Sequence, residues 1–427
     1  MKILIINTSD IFGGAARAAF RLHEALLQNN VGSQMLVSDK KSDLNSVIKL
    51  VPKRNLIENI RYKAYKKMQK SALRKYKKKI TKNWGPFSPQ IIPNKELVKF
   101  INEISPDIVH LHWICSNFLS IEDIAKIKAP IVWSLHDMWV FTGGCHLVAG
   151  DKVMCDKYTQ NCGSCDFLGT KKMNDLSFKV LQRKKKAFSK IKTMTTIGLS
   201  KWMQHCAKNS SVFAEKRVIN LPNPINTNVF SPFDAKLSRK LFCLPENKKL
   251  VLFGAISATS TPYKGYDLLM EALNKINTEN TEFVVFGSSE PKNPPKLPCK
   301  VHYLGLLHDD ASLALLYNAC DVIIVPSRRE NLSNVIMEAL SCGTPVVCFD
   351  IGGNSDMVEH KINGYLAKPF DTSNLAKGID WVLNSENYDE LCKNAREKVV
   401  REFDYSVVAK RYIELYQEIS HFLYRQI

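Results

Sequence analysis

Apolar residues in this chain fall into short unbroken runs separated by helical stripes. Met1 to Asn7 reads as a strand buried on both faces, and it leads through Ile11-Phe12-Gly13-Gly14 into Ala18, Leu22, Ala25 and Leu26, spaced for one face of a helix. The runs Asp107-Ile108-Val109-His110-Leu111-His112 and Ile131-Val132-Trp133-Ser134-Leu135-His136 repeat the theme, each ending in polar residues after a helix-like spacer. Alternation of this kind predicts an α/β protein with a parallel sheet covered by helices. The pattern then restarts with Leu250–Gly254, Glu282–Gly287, Asp321–Pro326 and Pro345–Phe349. Two Rossmann-like halves are expected, and Pro222-Asn223-Pro224 between them reads as a hinge.

Composition narrows the class. The 427 residues are 45% hydrophobic, enough for two or three packed domains. No apolar run approaches the roughly 18 residues of a membrane span, and polar Asn7 interrupts the first run before a signal-peptide core could form. Twelve cysteines without an export signal fit a reduced cytoplasm, so free thiols are the default.

Charge divides the chain. Residues 1–222 hold 38 Lys and Arg against 16 Asp and Glu, whereas residues 223–427 hold 22 against 25. Between Lys53 and Lys82 there are thirteen basic residues and one acid, with Ile57, Ile60, Ala64, Met68, Ala72, Tyr76 and Ile80 at helical spacing. A second basic stretch runs from Lys171 to Lys192. The first stretch reads as a basic amphipathic helix or pair of helices. It is either a solvated helix docked on its own domain or a contact for an anionic membrane surface. Nucleic acid is disfavoured, because no binding module accompanies the charge.

Candidate chemistry concentrates in the second half. Glu330 follows the strand Asp321–Pro326, and Glu338 lies about two turns into the next helical run. Ligands of open α/β sheets bind at that sheet edge. Leu332, Ser333 and Asn334 would present backbone N–H groups at the helix start, where a diphosphate is favoured by unpaired donors and the helix dipole.

With Gly13-Gly14, Pro222-Asn223, Lys264-Gly265, Glu330-x7-Glu338 and Cys342-Gly343-Thr344-Pro345-Val346-Val347 in order, the chain resembles glycosyltransferase family 4. The stretch Leu135-His136-Asp137-Met138-Trp139-Val140-Phe141-Thr142-Gly143-Gly144-Cys145 is similar to a bacterial exopolysaccharide and O-antigen branch. The resemblance implies a GT-B fold, two Rossmann-like domains facing across a cleft: 1–222 for acceptor, 223–402 for donor, and a helix at 403–427 crossing back to the first domain. It implies a retaining transfer from a UDP- or GDP-sugar to a growing, lipid-linked glycan, at the inner face of the cytoplasmic membrane.

Residue by residue, the resemblance assigns Glu338 to the ribose hydroxyls and Glu330 to sugar hydroxyls. It gives Lys264 the diphosphate, Gly14 a close backbone approach to phosphate, and His136 a contact with the donor sugar. Asp137 could orient His136 or the acceptor, and His112 could touch the acceptor. The family commonly has an Arg shortly before the Lys264 position, but residues 255–260 contain none, so Arg328 or Arg329 is the candidate second cation. No cofactor is obligatory. A front-face reaction through an oxocarbenium-like state is implied, with no carboxylate nucleophile. A catalytically silent nucleotide-sugar binder and a GT-B-shaped epimerase are the alternatives.

Cys145, Cys155, Cys162 and Cys165 form C-x9-C-x6-C-x2-C within 21 residues. Four soft ligands suit structural zinc, although only the closing pair has standard spacing. Unligated thiols, an Fe–S centre and disulfides remain open.

Overall fold

The computed structural model describes all residues except 51–54, 77–84, 148–153, 255–258, 260, 292–296 and 425–427. The chain divides into two units, Met1–Asn223 with Ala409–Ile427, and Pro224–Val408.

The first unit carries seven parallel strands: β1 (Lys2–Ile6), β2 (Gly32–Val37), β3 (Val47–Lys49), β4 (Ile108–Leu111), β5 (Ile131–Leu135), β6 (Met194–Gly198) and β7 (Arg217–Asn220). Their order is β3-β2-β1-β4-β5-β6-β7. β4 and β5 are buried at every position, because helices cover both faces and leave no side of the sheet to water. Trp133 and Trp139 fill the core beside Phe141 and Phe188.

The second unit repeats the plan with β8 (Lys249–Gly254), β9 (Thr281–Phe286), β10 (Val301–Tyr303), β11 (Val322–Val325), β12 (Val346–Phe349) and β13 (Gly364–Ala367). Their order, β10-β9-β8-β11-β12-β13, also reverses beside its first strand. In each unit two adjacent strands, β1 and β4 or β8 and β11, therefore send their connections in opposite directions, which opens a crevice at their carboxyl ends.

The final helix, Tyr405–Tyr424, is assigned to the second unit in its first turn and to the first unit from Ala409 onward. The division thus falls inside this helix rather than before it. Tyr412 and Tyr416 are buried, and Arg217 makes a two-pronged ion pair with Glu418.

Among the described residues no helix is long and apolar enough to cross a membrane. Over its described residues the basic stretch forms one helix, Leu56–Arg74, opened by a capping box between Asn55 and Glu58. None of its residues is buried; Leu56, Ile57 and Ile60 are 77%, 62% and 60% exposed. Gln69 ties the helix to Asn117, and Tyr76 just beyond it packs on the core. The apolar stripe is therefore turned outward over its first turns. The ends of the stretch, 53–54 and 77–82, lie outside the described residues.

Candidate active site

The crevice of the second unit is built on the loops that follow β8 and β11. After β8 the chain makes a 3-10 turn, Pro262–Lys264, and passes through Gly265 at φ 74° into the helix Tyr266–Leu273. A Cβ on Gly265 would stand 1.9 Å from the Pro326 carbonyl oxygen, so the two loops close on each other only with glycine there. That contact brings Lys264 Nζ to 2.5 Å from Glu330 Oε1. Ser327 Oγ donates to the same carboxylate oxygen at 2.9 Å. Gly352, at φ 56°, packs its α-carbon against Glu330 in the same way; a Cβ there would meet the Glu330 carbonyl oxygen at 1.8 Å.

Burial works against the Lys264 ammonium, but the Glu330 carboxylate outweighs it and holds the lysine pKa above its ordinary value. Lys264, Ser327, Glu330 and Ser333 help line a cavity of about 10 Å3, so the ion pair stands at the wall of the crevice.

Glu338 is on the helix Asn334–Ser341, which begins later than the apolar pattern suggests and puts this residue one turn inside rather than two. It is buried, and Tyr317 donates its hydroxyl to Oε2 at 2.7 Å. Ser333 occupies the N-cap without a side-chain cap, and Leu332 and Ser333 are buried just ahead of the first turn. Of the two candidate second cations, Arg328 is committed elsewhere: its guanidinium grips Asp267 at 2.7 Å and the Pro262 carbonyl at 2.9 Å. Arg329 is buried and donates to the Arg328 carbonyl at 2.6 Å. Residues 255–258 and 260, where the family resemblance would place an arginine, lie outside the described set.

In the first unit Gly14 opens the helix Gly14–Gln28 after β1. Three histidines gather at the ends of β4 and β5. His110 Nδ1 meets the Tyr416 hydroxyl at 2.6 Å, His110 Nε2 meets Ser134 Oγ at 2.9 Å, and His112 Nδ1 meets His136 Nε2 at 2.8 Å. Burial lowers all three, His110 to about 3, His136 to about 4 and His112 well below its ordinary value. At neutral pH the cluster is uncharged, so His136 offers a neutral imidazole. His112 Nε2 is buried with no hydrogen-bond partner among the described residues.

The Asp137 carboxylate takes its hydrogen bonds from other residues, while its charge still acts on the neighbouring His136. One oxygen accepts from the Trp139 N–H at 2.8 Å; the other accepts from Trp113 Nε1 at 2.9 Å and lies 2.6 Å from His146 Nδ1. Burial would raise its pKa, but His146 and these donors outweigh it and hold it below the usual range. His146 Nε2 in turn meets Ser88 Oγ at 2.9 Å. Ser88, Trp113 and His146 are thus part of the site and carried no sequence motif.

The structure collects Lys264 with Glu330 in one unit and His112 with His136 in the other. The four cysteines of the cluster line one further cavity of about 20 Å3, and all twelve cysteines are free. Among the described residues no three His, Cys, Asp or Glu side chains converge in a metal-holding arrangement.

The buried histidines, with His23 lowered to about 4 by burial, make stability depend on pH. Between about 4 and 6.5 the unfolded chain binds protons that the folded chain does not, so stability rises with pH through that window. The urea midpoint should hold near pH 7.5 and fall steadily from pH 6.5 to pH 5. A midpoint flat across that range would show that these histidines are not buried in the neutral form.

Residues 238–399 match the model of the family Glycosyl transferases group 1. The group 1 segment contains Lys264, Glu330 and Glu338, the residues built around the second crevice. Over 98% of both chains, the structure is similar to sucrose-phosphate synthase from Thermosynechococcus elongatus, with a TM-score of 0.68 at 19% identity. It is also similar to Anabaena HepE in complex with UDP-glucose, with a TM-score of 0.65 at 16% identity over 98% of this chain and all of that one. The fold is GT-B. An uncharacterized glycosyltransferase of Methanocaldococcus jannaschii is 28% identical over 47% of this chain and 53% of its own. An N,N'-diacetylbacillosaminyl-diphospho-undecaprenol alpha-1,3-N-acetylgalactosaminyltransferase of Campylobacter jejuni is 32% identical over 28% of this chain and 31% of its own. The chain thus spans about half or less of the length of these curated relatives.

Proposed function

We propose that this protein is a retaining glycosyltransferase that moves a sugar from a UDP- or GDP-sugar to a growing, lipid-linked cell-surface glycan. The observation that carries the reading is the Lys264–Glu330 pair at the β8/β11 reversal, with Glu338 one turn into the following helix. A donor diphosphate would take Lys264 from Glu330 and lie against the N-terminus of the helix Asn334–Ser341, where the helix dipole favours negative charge. The released Glu330 carboxylate would accept from sugar hydroxyls, and Glu338 would accept from the two ribose hydroxyls. Lys264 would then stabilise the charge that builds on the leaving phosphate as the glycosidic bond breaks.

In the first unit, the neutral His136 imidazole would hydrogen-bond the sugar, and Gly14 would admit backbone close to phosphate. Asp137 would hold the loop after His136 through Trp113, Trp139 and His146. The HepE complex with UDP-glucose supports the donor class, and the Campylobacter relative supports a diphospho-lipid acceptor.

The test is incubation of the protein with UDP- and GDP-sugars and a membrane extract rich in lipid-linked glycans. Nucleotide release that depends on the extract, with a product whose anomeric proton has the donor's configuration, is the expected result. Inverted product would sink the retaining mechanism; donor binding without turnover would favour a silent binder, and sugar interconversion without acceptor an epimerase.

We also place the protein on the cytoplasmic face of a membrane, through the helix Leu56–Arg74. Its exposed Leu56, Ile57 and Ile60 accompany six basic residues and one acid. Each Lys or Arg at an anionic surface contributes on the order of 1 kcal/mol. Co-sedimentation should be strong with vesicles containing phosphatidylglycerol, weak with phosphatidylcholine alone, and lost in Ile57→Ser/Ile60→Ser. Equal partitioning onto both vesicles would overturn this placement.

A further inference from the structure

The cavity shared by Cys145, Cys155, Cys162 and Cys165 serves no step of the transfer, yet its walls are unusually specific. It lies in the segment that follows the His136 loop, and its volume of about 20 Å3 is room for a single small occupant. Cys145 and Cys162 are buried and Cys155 and Cys165 half-buried, and all four line this one cavity. The turn between Cys162 and Cys165 is set by Gly163 and Ser164, both at positive φ, which folds the pair back on the cavity. The turn is fixed from behind, since the Asp175 carboxylate accepts from the Cys165 N–H at 2.9 Å and the Lys172 carbonyl from the Ser164 N–H at 2.9 Å.

Two amines border the same cluster. Lys184 is fully buried and donates to the Trp139 and Thr142 carbonyls, and Thr142 is itself in the cavity wall. Lys157, in the cavity wall, donates to the Ser164 carbonyl at 2.6 Å. Four thiolates around a divalent ion leave a net charge of −2, so a cation on either side is the complement such a site requires.

We propose that Cys145, Cys155, Cys162 and Cys165 bind one zinc ion, with four sulfur ligands and no open position, as a structural clamp on the segment after His136. Binding replaces four S–H bonds by four S–Zn bonds and releases the protons to solvent, with no change of oxidation state. Among the described residues the cysteines form no ready-made metal-holding group, so coordination requires their side chains to close on the cavity they share. A tetrahedral site with four cysteine ligands has no vacancy for substrate, and its part is to hold the Thr142–His146 turn. That turn carries His146, which binds Asp137. This inference does not depend on the reaction assigned above.

The experiment is metal analysis of the full chain purified without chelator, followed by thiol counting under denaturing conditions. About one zinc per chain with twelve reactive thiols is expected. Well below one metal per chain, iron in place of zinc, or fewer than twelve thiols each overturns the proposal. Cys162→Ser/Cys165→Ser should lose the ion, whereas Cys243→Ser, an exposed cysteine away from the cluster, should keep it. Because the double variant can misfold, apo wild-type protein is also titrated with cobalt. Sulfur-to-cobalt charge-transfer absorption that saturates at one equivalent, with the d–d bands of tetrahedral cobalt, supports the site, and its absence overturns it.

Discussion

Lys264→Ala should reduce turnover by about 10²–10³-fold, the scale seen when one fixed donor to a developing negative charge is removed. The variant also leaves the largely buried Glu330 carboxylate without its counter-ion, so part of any loss could come from unfolding. Glu330→Gln separates the two effects. It keeps the shape of the side chain and a hydrogen-bond partner for Ser327, but it removes the charge that holds Lys264 in the ligand-free crevice. If the pair is donor machinery, Glu330→Gln, with Lys264 free to turn to solvent or to the donor, should lose less stability than Lys264→Ala, retain nucleotide binding and lose most of its sugar transfer. If Lys264→Ala and Glu330→Gln both transfer sugar at wild-type rates once folded, the crevice at β8 and β11 is not where the donor reacts.

Glu338→Ala should weaken nucleotide binding by about 10²–10⁴-fold, because two hydrogen bonds to a charged group are lost together and each contributes roughly 1.5–3 kcal/mol. Calorimetric titration with UDP, GDP, ADP and CMP measures this directly, and the wild type should select one of them. Tyr317 would lose its acceptor in the variant, so Tyr317→Phe is the needed control. It removes the internal hydrogen bond while leaving the carboxylate for the ribose. Binding retained in Tyr317→Phe and lost in Glu338→Ala assigns the carboxylate to the ligand. Equal affinity in wild type and Glu338→Ala would remove the ribose role.

Much of this architecture is legible in the pattern of apolar runs. β1, β4, β5, β8, β9, β11 and β12 stand out because helices cover both faces and the runs are unbroken. β3 and β10 have three residues each, too few for any period to show. β6 carries Thr195 and Thr196 at its centre, so its buried positions read as polar. Glu330, Glu338 and Lys264 were legible as residues in order, but their geometry depends on contacts distant in sequence. Lys264 and Glu330 are 66 residues apart, and Gly352 supports Glu330 from a third loop. Asp137 illustrates the limit: its place beside His136 is legible, but the Trp113 and His146 contacts that hold its carboxylate come from elsewhere in the chain, Trp113 being 24 residues away. Arg328 was chosen for its proximity to Glu330, but Asp267 on the neighbouring helix takes its guanidinium.

The late return of the chain to the first unit sets an order on biosynthesis. His110 finds its Nδ1 partner in Tyr416, a residue made 306 positions later. As the nascent chain emerges, β1 to β7 can pair while the whole second unit is still being synthesised, and folding domain by domain would favour that sequence. Throughout that interval the buried histidine face has no Tyr412 or Tyr416 to cover it. The first unit therefore waits, partly open, until Tyr416 has been made, and a ribosome stalled before Ala409 leaves a nascent chain with an uncovered histidine face, a substrate for chaperones.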